Sequence, residues 1–237
     1  MKEKSFIDEI TDNCHRVEER IAEACVRAGR ARDEVTLIGV SKTVEAERVQ
    51  AAVDAGVTRL GENRVQELCE KQPLLTGNPE WHLIGHLQTN KVKQVVGKVA
   101  LIQSVDSVRL AKQIEKVSAA QNLVIPVLVE VNIGREASKS GVFAPDLEKL
   151  LTEIADFSHI SVRGLMCVPP ISDSSDKKRN YFAKMHQLFL DIRDKKLDNI
   201  DMHILSMGMS SDFEEAILEG STMVRVGTAL FGRRNYL

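Results

Sequence analysis

Short apolar runs and segments of helical period alternate along this chain. A helical period opens it, with Phe6, Ile7, Ile10, Cys14, Val17, Ile21 and Cys25 on one face of "SFIDEITDNCHRVEERIAEACVRAG" and Gly29 as the stop. A strand is predicted over 35–41, then a helix over about 44–55 that ends at Gly56. "TRLGEN" precedes a helix starting near Arg64, and "WHLIG" precedes one from about Thr89. "ALIQSV", "LVIPVLVEVNI", "ISVRGLMCV" and "MHILSM" are each followed by another helical pattern. "TMVRVG" precedes a short C-terminal segment. Strict alternation of strands and helices implies a parallel sheet, and eight such units predict a closed (β/α)8 TIM barrel of class α/β. The first helix is then an extra element that caps or flanks the barrel. No composition shift, low-complexity stretch or repeat divides residues 1–237, so a single domain is expected.

Composition narrows the function class. The chain has 237 residues, 43% hydrophobic and 28% charged, enough for a large core. Lys+Arg number 32 against 34 Asp+Glu, a balance that predicts no nucleic-acid partner and no anionic membrane surface. The charged start "MKEKSFIDEITDNCHRVEER" lacks the apolar core of a signal peptide, and no run approaches the ~20 apolar residues of a membrane span. Cys14, Cys25, Cys69 and Cys167 show no paired or metal-like spacing. Reduced thiols in a cytoplasmic protein are the expectation, with Cys167 in a packing role. The histidines form no metal-ligand pattern. Charged helix faces predict a monomer.

Chemistry in such barrels sits at the C-terminal ends of the strands, where Lys42, Asn63, His86, Asn132, Met166, Ser206, Arg225 and Gly227 fall. Strand alternation puts Thr36, Ile38, Val40 and Lys42 on one face, and Met223 and Arg225 on another. If both faces turn inward, an amine and a guanidinium meet at the mouth. A lysine ending an apolar strand is either snorkelling to solvent or kept for Schiff-base chemistry, its pKa lowered by burial and positive neighbours. Two strand-to-helix turns, "SMGMSSDFEEA" with Ser206, Ser210 and Ser211, and "VRVGTALFG" with Gly227 and Thr228, follow strands seven and eight. Phosphate sites of this fold are often found there. Lysine, phosphate cradle and arginine together suit pyridoxal 5′-phosphate, and the first two suit a phosphorylated sugar equally well. His82, within a strand, reads first as a core histidine.

"GVSKTV", "LGENRVQE", "WHLIGHLQTNK", "SKSGV", "RGLMCVPP", "SMGMSSDFEEAI" and "GSTMVRVGTALFG" run in order over residues 37–236. Together they resemble the pyridoxal-phosphate homeostasis proteins of the YggS/PROSC type. The resemblance implies the N-terminal barrel fold of alanine racemase, fold type III among pyridoxal-phosphate proteins. It implies that Lys42 carries the cofactor as a Schiff base and that Arg225 faces the pyridine nitrogen. Ser206 and the Gly227–Thr228 turn would hold the phosphate with Ser210 nearby, Asn63 and Met166 would line the ring pocket, and His82 would be a neighbour. The sequence departs from the family pattern at Leu83 and His86.

The function so implied is intracellular vitamin B6 homeostasis: a carrier or buffer of pyridoxal phosphate without robust catalysis, in transient contact with apo-enzymes that need it. A pyridoxal-phosphate-dependent amino-acid racemase or lyase is the alternative, and a phosphosugar aldolase a third reading. Against a racemase, the chain ends at Leu237 just after the barrel. Its tyrosines, Tyr181 on an outer helix and Tyr236 near the end, make poor racemisation bases.

Overall fold

A computed structural model of the chain describes residues 5–170 and 174–232. Its strands are Thr36–Val40 (β1), Arg59–Glu62 (β2), Glu80–Leu83 (β3), Leu101–Val105 (β4), Ile125–Glu130 (β5), Ile160–Met166 (β6), Ile200–Ser206 (β7) and Met223–Val226 (β8). They pair in parallel and in sequence order, and β8 closes on β1 with Ile38 registered against Arg225. Each lies in or overlaps a run predicted as a strand. The largest trimming is in "LVIPVLVEVNI", where only Ile125–Glu130 is extended ladder and Val131, Asn132 and Ile133 lead into the loop above the mouth.

The helices are Phe6–Arg27 (α1), Ala46–Asp54 (α2), Val65–Lys71 (α3), Val92–Val95 (α4), Val108–Ala120 (α5), Leu147–Ile154 (α6), Ser175–Asp194 (α7), Phe213–Leu218 (α8) and Thr228–Phe231 (α9). The helix expected from Thr89 is a 3₁₀ turn followed by a single α-turn, because Val96 leaves helical backbone at ψ 128°.

α1 begins at Ser5, whose hydroxyl accepts the Asp8 N–H at 3.2 Å. It packs against α8, α2 and α9 through Ile10, Cys14, Val17, Ile21 and Cys25. The physical reason is the length of α9. One turn cannot cover β8 and β1, so α1 takes the place of the outer helix there. Phe6 and Ile7, predicted on the buried face, are 41% and 52% exposed, and Phe6 instead lies 5.6 Å beneath the Arg48 guanidinium.

Two apolar layers result. The larger fills the space between strands and helices. The smaller, Ile38, Leu101, Leu128, Met166 and Met223, fills the barrel's inside. The face of β1 carrying Ile38 is therefore inward, as is the face of β8 carrying Met223. β6 bulges against both neighbours near Gly164, which has φ +147°. A Cβ there would meet the Ile204 carbonyl oxygen at 1.8 Å, so glycine is required for β7 to approach.

Candidate functional site

A cavity of about 650 Å³ opens at the C-terminal end of the barrel, within the range of small-molecule sites. Val40 and the half-buried Lys42 enter it from the end of β1, Asn63 from β2, Ile84 from β3, and Val168 from β6. Met209, Ser210 and Ser211 enter from the turn after β7, and Arg225, Gly227 and Thr228 from β8 and the turn after it. The expected meeting of amine and guanidinium in one barrel mouth is thus present. Of the residues proposed from sequence, Lys42, Asn63, Ser210, Arg225, Gly227 and Thr228 share this cavity.

Arg225 is 4% exposed. Its Nη1 donates to Ser206 Oγ at 2.6 Å and its Nη2 to the Cys167 carbonyl at 2.8 Å. Among the described residues no carboxylate lies within ion-pair distance of it. Burial lowers its pKa, with Cys167, Glu130 and Asp212 acting the other way, yet a guanidinium remains charged. A buried cation without an ion pair is costly unless it meets acceptors, and this one borders the cavity. It is a ready donor to a ligand atom with a lone pair.

The turn after β8 supplies a second recognition element. The N–H groups of Gly227 and Ala229 converge on Ser210 Oγ at 3.1 and 3.2 Å. Backbone donors there already face an oxygen, the arrangement an anionic oxygen needs. Gly208 lets the preceding turn fold this tightly. It has φ +94°, and a Cβ on it would meet the Ala216 methyl at 2.6 Å.

Three proposed site residues do not line the cavity. Met166 is fully buried in the barrel's inner layer. Ser206 is fully buried with its hydroxyl engaged, because it donates to Gln103 Oε1 at 2.7 Å while accepting from Arg225. His82, 3% exposed, receives the Gln103 amide N–H on Nδ1 at 2.9 Å. Burial, reinforced by Arg59, pushes the His82 pKa down to about 4, so the ring is neutral at pH 7 and its proton sits on Nε2. The four groups form one polar line down the barrel: Arg225, Ser206, Gln103, His82. Ser206 and His82 therefore act on the mouth through Arg225.

Asn132 lies outside the cavity too. Its amide bonds the Glu136 N–H and carbonyl and the Lys139 carbonyl, stapling the loop after β5. His86 sits exposed on the rim, 3.4 Å from Asp106 and from Ser140. Leu83 is buried core. Cys167 is fully buried and burial pushes its thiol up to about 12, consistent with packing. Tyr181 is half-buried on α7, and Tyr236 lies outside the described residues. Among the described residues, no group of three His, Cys, Asp or Glu side chains could hold a metal ion, and no helix is long and apolar enough to cross a membrane.

Several participants went unread in the sequence. Gln103 was signalled as the polar residue of an otherwise apolar strand, "ALIQSV". Glu130, at the end of β5, has its carboxyl pushed up to about 7 by burial and the nearby Asp106, against the pull of Arg225. Ile84, Val168 and Met209 carry no chemical signature and emerge only from the barrel's curvature.

Comparison with known proteins agrees with this geometry. Residues 11–235 match the family model for the alanine racemase N-terminal domain. The pyridoxal phosphate homeostasis protein of Aquifex aeolicus is 45% identical over 222 residues, covering 93% of this chain and 96% of that one. The structure of PipY from Synechococcus elongatus with pyridoxal phosphate bound superposes with a TM-score of 0.80 at 32% identity, over 91% of this chain and all of that one. Alanine racemase from Corynebacterium glutamicum shares the fold, with a TM-score of 0.73 at 18% identity over 96% of this chain and 62% of that one. A barrel with this mouth, matched over nearly its whole length, belongs to the alanine racemase N-terminal domain family and, within it, to the pyridoxal phosphate homeostasis proteins.

Proposed function

We propose that this protein holds pyridoxal 5′-phosphate as a Schiff base on Lys42 and serves as a carrier and buffer of the cofactor, with no robust catalysis of its own. The observation that carries this reading is the buried Arg225 bordering the same cavity as the Lys42 amine. The bound cofactor would supply an aldehyde that captures amines reversibly. Lys42 offers the amine. Its neutral nitrogen would bond to the aldehyde carbon, its two hydrogens leaving with the aldehyde oxygen as water. Arg225 would donate to the pyridine nitrogen and, as a cation, would disfavour a proton there. The Gly227 and Thr228 turn, with Ser210, would hold the phosphate. Val40, Ile84, Val168 and Met209 offer an apolar wall for the ring.

Two features support a carrier over an enzyme. An unprotonated pyridine is a poor electron sink, which biases the cofactor away from transamination without forbidding proton abstraction. The described cavity lining also contains no His, Tyr, Cys, Asp or Glu to move a proton on the face opposite Lys42. The test loads the protein with cofactor and measures two things. A carrier activates an apo-enzyme in proportion to cofactor delivered, and leaves the α-protons of added amino acids unexchanged in deuterated water. Rapid exchange or amino-acid turnover would make it a racemase or lyase instead. Cytoplasmic residence, a monomeric state and transient contact with recipient apo-enzymes belong to the same reading.

A further inference from the structure

Behind Lys42 lies a buried charge cluster that the cavity does not use. Glu62, at the end of β2, is fully buried, and Lys71, at the end of α3, is 9% exposed. Lys71 Nζ donates to Glu62 Oε1 at 2.7 Å, to Glu67 Oε2 at 3.0 Å and to the Ser41 carbonyl at 2.7 Å. Glu62 Oε1 also accepts from Ser41 Oγ at 3.0 Å, and Oε2 accepts the Asn63 N–H at 2.9 Å. Glu67 Oε2 accepts the Thr43 N–H at 2.7 Å.

These bonds grip the chain on both sides of Lys42. Ser41 is held by its hydroxyl and carbonyl, and Thr43 by its N–H. Thr43 has φ +58°, a left-handed backbone that a β-branched residue adopts only where its surroundings impose it. The same Glu62 carboxylate fixes the backbone of Asn63, a second cavity residue. Buried ion pairs can often be replaced by apolar side chains without loss of stability, so stability alone is a weak reason for this one.

We infer that the Glu62–Lys71 pair, extended by Glu67, is a positioning device that sets the backbone of Lys42 and Asn63 so that the lysine amine enters the cavity. The inference rests on the reading of Lys42 as the amine that captures pyridoxal phosphate. Glu62 and Lys71 touch no ligand. They act through Ser41, Thr43 and Asn63. Misplacing a reacting group by about 1 Å can cost on the order of 100-fold in rate.

The test uses the full chain and two variants. Glu62→Leu/Lys71→Met replaces the pair with apolar side chains, and Glu67→Ala removes the acceptor of the Thr43 N–H, together with one acceptor of Lys71 Nζ, at a partly exposed position while leaving the Glu62–Lys71 pair in place. Thermal melting establishes that each folds. Capture of pyridoxal phosphate is followed by stopped-flow absorption, which separates half-saturation from the limiting first-order capture rate. Amide hydrogen exchange at Thr43 and Asn63 is measured without cofactor. A positioning role predicts a limiting rate roughly 10- to 100-fold lower. Half-saturation stays within about twofold, because the phosphate turn and Arg225 are untouched. Exchange quickens at Thr43 in both variants and at Asn63 in the double variant. Folded variants with the wild-type limiting rate and exchange would overturn the inference. If the double variant does not fold, Glu67→Ala decides on the same criteria. A wild-type chain that captures nothing on Lys42 would overturn the reading of the cavity, and with it the purpose assigned to the cluster.

Discussion

Ser206 Oγ lies 2.6 Å from Arg225 Nη1 and 2.7 Å from Gln103 Oε1, so a fully buried hydroxyl joins the cation at the mouth to an amide deeper in the barrel. Its hydrogen goes to Gln103 and its lone pair to Arg225, and the Gln103 amide then donates to neutral His82. Ser206→Ala leaves a buried guanidinium N–H and a buried amide oxygen unpaired. The expected cost is about 1–3 kcal/mol in chemical denaturation, with weaker cofactor binding as Arg225 loses its brace. A variant as stable as the parent would mean that water replaces the hydroxyl.

The pH dependence of stability carries the mark of Glu130. Burial, helped by Asp106, raises its folded pKa to about 7 from an ordinary 4.5. A raised pKa contributes stability that is complete below the unfolded value and is lost as pH rises through the folded one. Between about pH 4.5 and 7 this side chain should therefore withdraw on the order of 3 kcal/mol. His82 acts oppositely, since its depressed pKa removes stability as pH falls from 6.5 towards about 4. Comparison with Glu130→Gln isolates the carboxyl. The variant should match wild type near pH 4 and exceed it increasingly up to pH 8 in denaturant titrations. A constant difference across pH would mean that the Glu130 carboxyl does not titrate anomalously.

Much of the barrel was legible in the sequence because each strand is an apolar run bounded by turn residues, and each helix shows one buried stripe. α4 was overestimated because "TNKVKQVVGK" has helical composition, whereas the segment opens as a 3₁₀ turn and leaves helical backbone at Val96. At the mouth, position along a strand gave Lys42, Asn63 and Arg225 correctly as cavity residues. It gave no depth along the axis. Met166 and Ser206 end their strands as Lys42 follows its own, yet the stagger of the barrel puts them one layer lower. The Glu62–Lys71 pair was invisible because it joins the end of a strand to the end of a helix, and no local pattern marks such a pair.

Phosphate recognition is testable separately from imine chemistry. Ser210 Oγ lies within hydrogen-bond distance of the Gly227 and Ala229 N–H groups and lines the cavity. Ser210→Ala should weaken pyridoxal phosphate binding roughly tenfold. Pyridoxal, which lacks the phosphate, should bind both proteins alike in absorption titrations. Equal losses for the two ligands would remove Ser210 from the phosphate turn.

Gly164 sets how closely β7 approaches β6, and through β7 the position of Ser206. Gly164→Ala would drive a methyl group into the Ile204 carbonyl at a left-handed backbone. A loss on the order of 3 kcal/mol or more is expected in thermal or denaturant unfolding. A neutral substitution would mean that β6 and β7 separate without cost.

Chemical trapping decides whether the amine of Lys42 carries the cofactor. Purified protein is incubated with pyridoxal phosphate, reduced with borohydride, digested and mapped by mass spectrometry, with Lys42→Ala treated in parallel. A visible absorption band and a single reduced adduct on Lys42 are expected, both absent from the variant. Adducts scattered over surface lysines, or an unchanged band in Lys42→Ala, would contradict it.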